Sequence, residues 1–152
     1  AISKNTYTDR CLCQGRHNKQ VRNSLVARVM VVPSARISFL SELNSLAPNS
    51  SVRVLARLQK YSPNRQIALL EYQQHQLEVD TSLLGEEVAL QEGKLFQFVG
   101  ELSTSAREPE QEPVLVLVAR VARNVEGMDV QLYEKAVQLR RQFMLQNNMT
   151  EA

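Results

Sequence analysis

Apolar and polar residues alternate along much of the chain in a way that predicts five β-strands. Between residues 52 and 61 nearly every second position is apolar, which is typical of a strand with one buried face. A turn containing Pro63 follows, and a second strand completes a hairpin. One short alternating segment and two longer apolar runs predict three more strands. The five predicted strands are Val52–Tyr61, Gln66–Tyr72, Gln76–Asp80, Lys94–Leu102 and Pro113–Val125.

The last patterned segment predicts a helix from about residue 129 to 147 with an unusually wide apolar face. At about 100° per residue, its apolar side chains span about 160°, against the ~100° typical of a surface helix. The polar arc holds Gln131, Glu134, Lys135, Gln138, Arg141 and Gln142. The apolar arc holds Val130, Leu132, Tyr133, Ala136, Val137, Leu139, Phe143 and Met144. Either the helix fills a deep groove of its own domain, or one flank packs there and the other on another protein.

The order of these elements predicts the fold class. Residues 30–43 predict an extended piece followed by a short helix or turn around Phe39–Leu43. Residues 82–87 carry no strand pattern and predict a short helical linker between strands 3 and 4. Five strands with a linker at that place and a terminal helix are the order of the OB-fold, a five-stranded Greek-key barrel. An unrelated small barrel or an α+β sheet would share the same coarse pattern.

Charge divides the chain into a basic segment and a mildly acidic remainder. Residues 1–29 carry six Lys and Arg against one Asp, hence 6 − 1 = +5, and the whole chain carries +2, which leaves 2 − 5 = −3 for residues 30–152. We therefore expect a disordered basic extension over residues 1–29 and one domain over 30–152. A translated leader and a genuine basic arm are both open for the extension.

Composition offers little to a metal site or a catalyst. Cys11, Cys13 and His17 lie in one short stretch, where three ligands make a poor tetrahedral zinc site and a disulfide would be strained. His75 has no neighbouring nucleophile, and Glu86 and Glu87 are typical of a solvated acidic patch. The five glycines are too scattered for a phosphate-binding loop. We expect no catalysis, no metal and no cofactor. With no signal-peptide or membrane-spanning pattern, an intracellular protein is expected.

Several short segments between residues 52 and 143 resemble the Ten subunit family of the telomeric CST complex. They are Leu55-Ala-Arg-Leu in the first strand, Phe98-Val-Gly-Glu-Leu in the fourth, Val125-Glu-Gly-Met-Asp, and Leu132-x-Glu-x-Ala-Val on the helix. The Val-Glu-Gly-Met turn is the most specific of them. One departure is Ala56, which stands where this family often has glycine in the sharply bent first strand.

The resemblance implies a non-catalytic OB-fold subunit that acts at telomeres in the nucleus. Its terminal helix would dock on the Stn subunit, and that pair would join a large third subunit to form a complex binding single-stranded DNA. The partner-binding residues that the resemblance and the helix pattern together indicate are Arg53, Tyr133, Val137, Arg140, Phe143 and Met144. For Tyr133 and Val137, sealing the open end of the barrel is an equal alternative.

Direct nucleic-acid binding requires a positive groove with exposed aromatic side chains. The best candidates surround the first hairpin and are Arg57, Lys60, Tyr61 and Arg65. The loop between strands 4 and 5 argues against nucleic-acid binding. It carries Arg107 and the three carboxylates Glu108, Glu110 and Glu112, so its net charge is 1 − 3 = −2, which repels phosphate. We expect weak, salt-sensitive binding by the chain alone. An independent single-stranded nucleic-acid-binding module is the alternative function, and a scaffold unrelated to nucleic acid has no positive support.

Overall fold

The computed structural model describes residues 34–105 and 112–149. Within them a short strand and a 3-10 helix precede five longer strands and an α-helix. In chain order the elements are β1 (Arg36–Ile37), the 3-10 helix (Leu40–Ser45), β2 (Ser51–Ser62), β3 (Ile67–Tyr72), β4 (His75–Asp80), β5 (Leu95–Ser105), β6 (Val114–Asn124) and α1 (Val130–Gln146). The five predicted strands and the terminal helix are therefore confirmed, with small shifts at their ends.

The strands form one sheet that closes into a barrel. The strand order is β1-β2-β3-β4-β6-β5, and β2 also pairs with β5, which closes the ring. β4 and β6 run parallel, as do β1 and β2, and the other pairs are antiparallel. This is the five-stranded Greek-key arrangement that the sequence predicts, with β1 added at its side.

Inward-facing apolar side chains fill the barrel, because successive residues of a strand point to opposite faces. Phe96 and Phe98 on β5 are fully buried, and their ring centroids lie 5.8 Å apart. Ala56 lies opposite Phe96 and is fully buried. An alanine is thus accommodated where the first strand of related barrels often has glycine. The irregularity in β2 lies farther on, between Leu58 and Lys60.

The connection between β4 and β5 corrects one expectation, because residues 81–94 contain turns and no helix. Two isolated hydrogen bonds, from the Leu84 amide to the Thr81 carbonyl (3.0 Å) and from the Val88 amide to the Gly85 carbonyl (3.2 Å), close separate turns. A segment of six residues with a glycine inside it forms too few helical hydrogen bonds to offset the unfavourable free energy of helix nucleation. Leu84 instead packs against the barrel core.

A tight turn after β6 sets the start of α1. Gly127 has φ +89, and the Glu126 carboxylate accepts a hydrogen bond from the Leu95 amide at 2.7 Å, which ties the turn to β5. Asp129 caps the helix by accepting from the Leu132 amide at 3.0 Å. None of the helices among residues 34–105 and 112–149 is both long and apolar enough to cross a membrane.

Candidate protein-interaction surface

The first half of α1 is held to the barrel by a carboxylate. Glu134 accepts hydrogen bonds from the Tyr72 hydroxyl and from the Gln73 side-chain amide, the latter at 2.7 Å. Burial, followed by the neighbouring Glu134 carboxylate, raises the pKa of Tyr72 well above its ordinary value, so the phenol stays a proton donor. The helix therefore meets the β3–β4 hairpin at this point.

The second half of α1 is held by Arg141, two turns beyond Glu134. Its two terminal nitrogens donate to the two carboxylate oxygens of Glu42 at 2.7 and 2.8 Å, and one also donates to the Ile37 carbonyl at 3.0 Å. The guanidinium carbon lies 5.1 Å from the centre of the Phe39 ring. The hydrogen bonds from Arg141 are the main reason that the pKa of Glu42 lies below its ordinary value.

Apolar contacts fill the space between these two polar anchors. Val137 on α1 is only 4% exposed, and the outward-facing Leu55 and Leu95 on β2 and β5 are equally buried. Tyr133 is half-buried beside Gln97 and Arg53, and burial raises its pKa. Since strand alternation turns Leu55 and Leu95 away from the core, we infer that α1 covers the outer surface of the barrel at this place.

The opposite side of α1 presents apolar side chains to solvent. Leu132 and Leu139 are each 64% exposed and Phe143 is 60% exposed. With the exposed Ala136 they recur at the i, i+4, i+7, i+11 spacing of a single helix face. We call Leu132, Ala136, Leu139 and Phe143 the helix stripe. Contiguous exposed apolar side chains of this kind mark protein-interaction sites.

The residues expected to bind a partner separate into two groups. Val137 leaves almost no surface to a partner, while Tyr133 and Met144 are half-buried. Arg53, Arg140 and Phe143 are exposed. Sequence reasoning placed Leu132 and Leu139 on the apolar arc without naming them as candidates. Their exposed fractions, 64% each, are close to the 60% of Phe143 and become visible only once the orientation of α1 is known, which adds them to the surface.

The predicted nucleic-acid residues do not form an open aromatic groove in the structure. Tyr61 is half-buried and packs against the barrel core. Arg57 donates to the Gly93 carbonyl and lies 3.7 Å from the Glu126 carboxylate. Lys60 and Arg65 are exposed, and Arg65 lies in the β2–β3 turn. The three cations among these four candidates are thus exposed, but the one aromatic side chain among them is not an exposed stacking platform.

The barrel face that OB-folds commonly use for nucleic acids is acidic here. OB-folds bind oligonucleotides across the second and third barrel strands, which are β3 and β4 in this chain. A cleft of about 270 Å³ beside this face is lined by Glu78 and Asp80 of β4 together with Ser103–Ser105 of β5. Carboxylates at this place repel phosphate. Most of the Glu-rich β5–β6 loop, with Arg107, lies outside the described residues.

Comparison with known proteins identifies the family. A family model described as "Telomere-capping, CST complex subunit" matches residues 31–147. The chain belongs to this family, Ten1. A curated Ten1 relative, the CST complex subunit TEN1 of Arabidopsis thaliana, is 33% identical over 136 residues, which cover 83% of this chain and all of the relative.

Two solved structures share the fold of this Ten1-family chain. One is the Stn1–Ten1 complex of S. pombe, with a TM-score of 0.59, 19% identity and coverage of 73% of this chain and 95% of that one. The other is the telomere capping protein Ten1 of Saccharomyces pombe, also with a TM-score of 0.59 and 19% identity, covering 72% and 99%. They support the OB-fold barrel with its C-terminal helix.

The basic extension and its cysteines lie outside the described residues. The placement of residues 1–29, with Cys11, Cys13 and His17, is therefore not described. Among residues 34–105 and 112–149, no group of three or more His, Cys, Asp or Glu side chains is arranged to hold a metal ion. The surface that stands out chemically in the described part of this Ten1-family chain is the helix stripe.

Proposed function

We propose that this Ten1-family chain docks on an Stn1-like partner through the helix stripe, as the smallest subunit of a CST complex. The observation that carries the proposal is the exposure of Leu132, Leu139 and Phe143 on a helix whose other face is already committed to the barrel. The fold similarity to a chain solved in a Stn1–Ten1 complex supports this partner.

Phe143 is the expected anchor of the docking surface. Aromatic side chains at the centre of an interface commonly carry much of the binding energy, and charged rims mainly set orientation and association rate. Arg53 and Arg140 are exposed and suit such a rim, facing acidic groups of the partner. Met144 is half-buried and would contribute only its outer edge.

Membership of the family supports a proposal for the cellular role. We propose a nuclear protein at telomeres that stabilises its partner and, with a large third subunit, helps to hold single-stranded telomeric DNA. The acidic β4 cleft and the inward-packed Tyr61 support a contribution made within the complex rather than tight binding by the chain alone. Any direct contact would come from Lys60 and Arg65, assisted by Arg57.

The test is co-purification of the full chain from its own cells, comparing wild type with Phe143→Asp. A carboxylate at position 143 is exposed in the free chain, so folding is retained, but burying it against a partner is costly. Leu145→Asp is the matched control, since Leu145 is also apolar and 77% exposed but lies about 160° away around the helix.

We expect a second OB-fold protein to co-elute with wild type and with Leu145→Asp, and to be lost with Phe143→Asp. Equal retention by both variants would contradict docking through the helix stripe. If wild type purifies alone and holds single-stranded DNA tightly by itself, an independent nucleic-acid-binding module is the correct function.

A further inference from the structure

The orientation of α1 about its own axis is not decided by apolar burial. The barrel-facing side uses Val130, Tyr133, Val137 and Met144, whereas the helix stripe offers two leucines and a phenylalanine to solvent. At about 100° per residue, the centres of the two faces lie about 120° apart. Turning α1 by that angle would bury two leucines and a phenylalanine in place of two valines, a tyrosine and a methionine, so the hydrophobic effect alone does not select the observed orientation.

Two polar anchors oppose that rotation, and the stronger is at Arg141. Its planar fork matches both oxygens of Glu42 while also reaching the Ile37 carbonyl. Bidentate arginine–carboxylate pairs are directional, and a lysine cannot reproduce them. The side chains of Arg141 and Glu42 are only 24% and 34% exposed, so water screens this pair less than an ordinary surface ion pair.

The groups that receive Arg141 are themselves fixed. Leu40 and Leu43 of the 3-10 helix are buried in the barrel core, and β1 pairs with Val52 and Arg53 of β2. The Phe39 amide donates to the Glu42 carboxylate at 3.2 Å, which holds that carboxylate in place. The receiving segment is thus a rigid part of the barrel rather than a loose arm.

Arg141 is also close in sequence to the partner-binding surface. Phe143 follows two residues later, about 200° further around the helix, so it points outward when Arg141 points inward. The contact that fixes Arg141 therefore fixes the direction of Phe143 as well. An interface that is already held in its binding orientation loses less conformational entropy when the partner binds.

We propose that Arg141 and its receptor segment, Arg36–Ser45, position the helix stripe for the partner, with Arg141 and Glu42 acting as the positioning residues. The segment ahead of the barrel thereby becomes a determinant of partner affinity. This inference rests on the proposed docking function, and its test includes a readout that needs no partner.

The readout uses the absence of tryptophan from this chain. Phe143→Trp places a single tryptophan in the stripe, and with excitation selective for tryptophan over the four tyrosines its emission wavelength reports whether position 143 faces water. In that background, Arg141→Met removes the fork while keeping an unbranched apolar side chain. Lys135→Met is the matched control, since Lys135 is an exposed cation on the same helix.

We expect Arg141→Met to shift the emission to the blue and to lower affinity for the purified Stn1-like partner at least tenfold, while Lys135→Met changes neither. Glu42→Gln should act in the same direction with a smaller effect, and it keeps the test valid if Arg141→Met does not fold. Unchanged emission and affinity in both Arg141→Met and Glu42→Gln would overturn the proposal. A blue shift with undiminished partner affinity would also overturn it.

The separate result for Phe143→Asp distinguishes the two proposals. If Phe143→Asp retains the partner, docking through the stripe fails, whatever the emission experiment shows. If Phe143→Asp loses the partner while Arg141→Met and Glu42→Gln behave like Lys135→Met, docking stands and the positioning role fails.

Discussion

At the scale of single residues, Gly100 on β5 has no room for a side chain. A Cβ built there would lie 2.1 Å from the Val118 carbonyl oxygen of β6, beside the register shift between Val99 and Gly100. The clashing atoms belong to the backbone of β6, which cannot move aside as a flexible side chain can. A side chain at position 100 would therefore force β5 and β6 apart.

We expect Gly100→Ala to lower the free energy of unfolding by about 2–3 kcal/mol or more. Urea denaturation followed by circular dichroism measures it. Gly85→Ala is the control, because no atom lies within 4 Å of a Cβ at Gly85 and its φ is not positive. Similar midpoints for the two variants would contradict this account of the β5–β6 crossing.

The β3–β4 turn offers the opposite case, a residue held in an unfavourable backbone conformation. Gln73 and Gln74 have φ 49 and 66, as both central residues of a type I′ hairpin turn require, and glycine or asparagine suits these positions better. Gln73 also donates to Glu134 on α1, so it is best left in place.

Gln74→Gly should therefore raise the free energy of unfolding by about 1 kcal/mol. Thermal denaturation compares it with wild type, and Gln76→Gly, inside β4, should be destabilising instead. A lower melting temperature for Gln74→Gly would show that its side chain makes a contact that outweighs the strain.

Two residues show why the sequence does not determine the orientation of α1. Glu134 and Arg141 fall on the polar arc by periodicity, yet both face the barrel because Tyr72 and Glu42 bind them. Helical periodicity sorts positions by polarity only. It cannot reveal that a polar side chain will hydrogen-bond to a residue of the same chain 60 to 100 positions away. The strands, by contrast, follow from alternation within each segment, and they were predictable.

At the scale of elements, the Glu42–Arg141 contact makes the docking of α1 sensitive to acid. The pKa of Glu42 is lowered in the folded chain from its ordinary 4.5, mainly by the hydrogen bonds from Arg141. A carboxylate with a depressed folded pKa stabilises the fold above its unfolded pKa, and that stability is lost as pH falls through the folded pKa.

Wild type should therefore be more stable than Glu42→Gln at neutral pH, and the difference should shrink below about pH 4.5. Urea midpoints at several pH values measure this. Glu87→Gln, an exposed carboxylate in the β4–β5 connection, should show no comparable convergence. A constant difference across the range would mean that the charge of Glu42 is not what matters.

The β4–β5 connection and the ends of α1 mark the limits of pattern reasoning at this scale. The absence of strand alternation in residues 82–87 predicts a helical linker, but it is equally compatible with turns, which Leu84 stabilises by packing on the core. The start of α1, by contrast, is predicted at about residue 129 and lies at Val130, where the local Asp129 cap and the Gly127 turn fix it.

At the scale of the whole molecule, the charge distribution predicts how strongly the isolated chain binds nucleic acid. The acidic cleft beside β4 opposes phosphate, and the exposed cations among the first hairpin candidates are Arg57, Lys60 and Arg65. We expect weak binding of a single-stranded oligonucleotide that disappears as salt rises, because counterion release supplies most of it.

Fluorescence anisotropy with a labelled poly-dT strand measures this binding at low salt. The double variant Lys60→Glu, Arg65→Glu should weaken it several-fold, whereas charge removal at Lys135, on the far helix, should leave it unchanged. Tight binding that persists in the double variant would place the contact elsewhere, including the residues outside the described part of the chain.

The parallel pairing of β4 with β6 has a consequence for incomplete forms of the protein. β6 is the strand that joins β4 to β5, so without it both would present unpaired backbone edges. Such edges are templates for association with other chains. A product lacking residues 114–124 is thus an aggregation hazard rather than a weakened subunit, which makes barrel closure a matter of solubility as much as of stability.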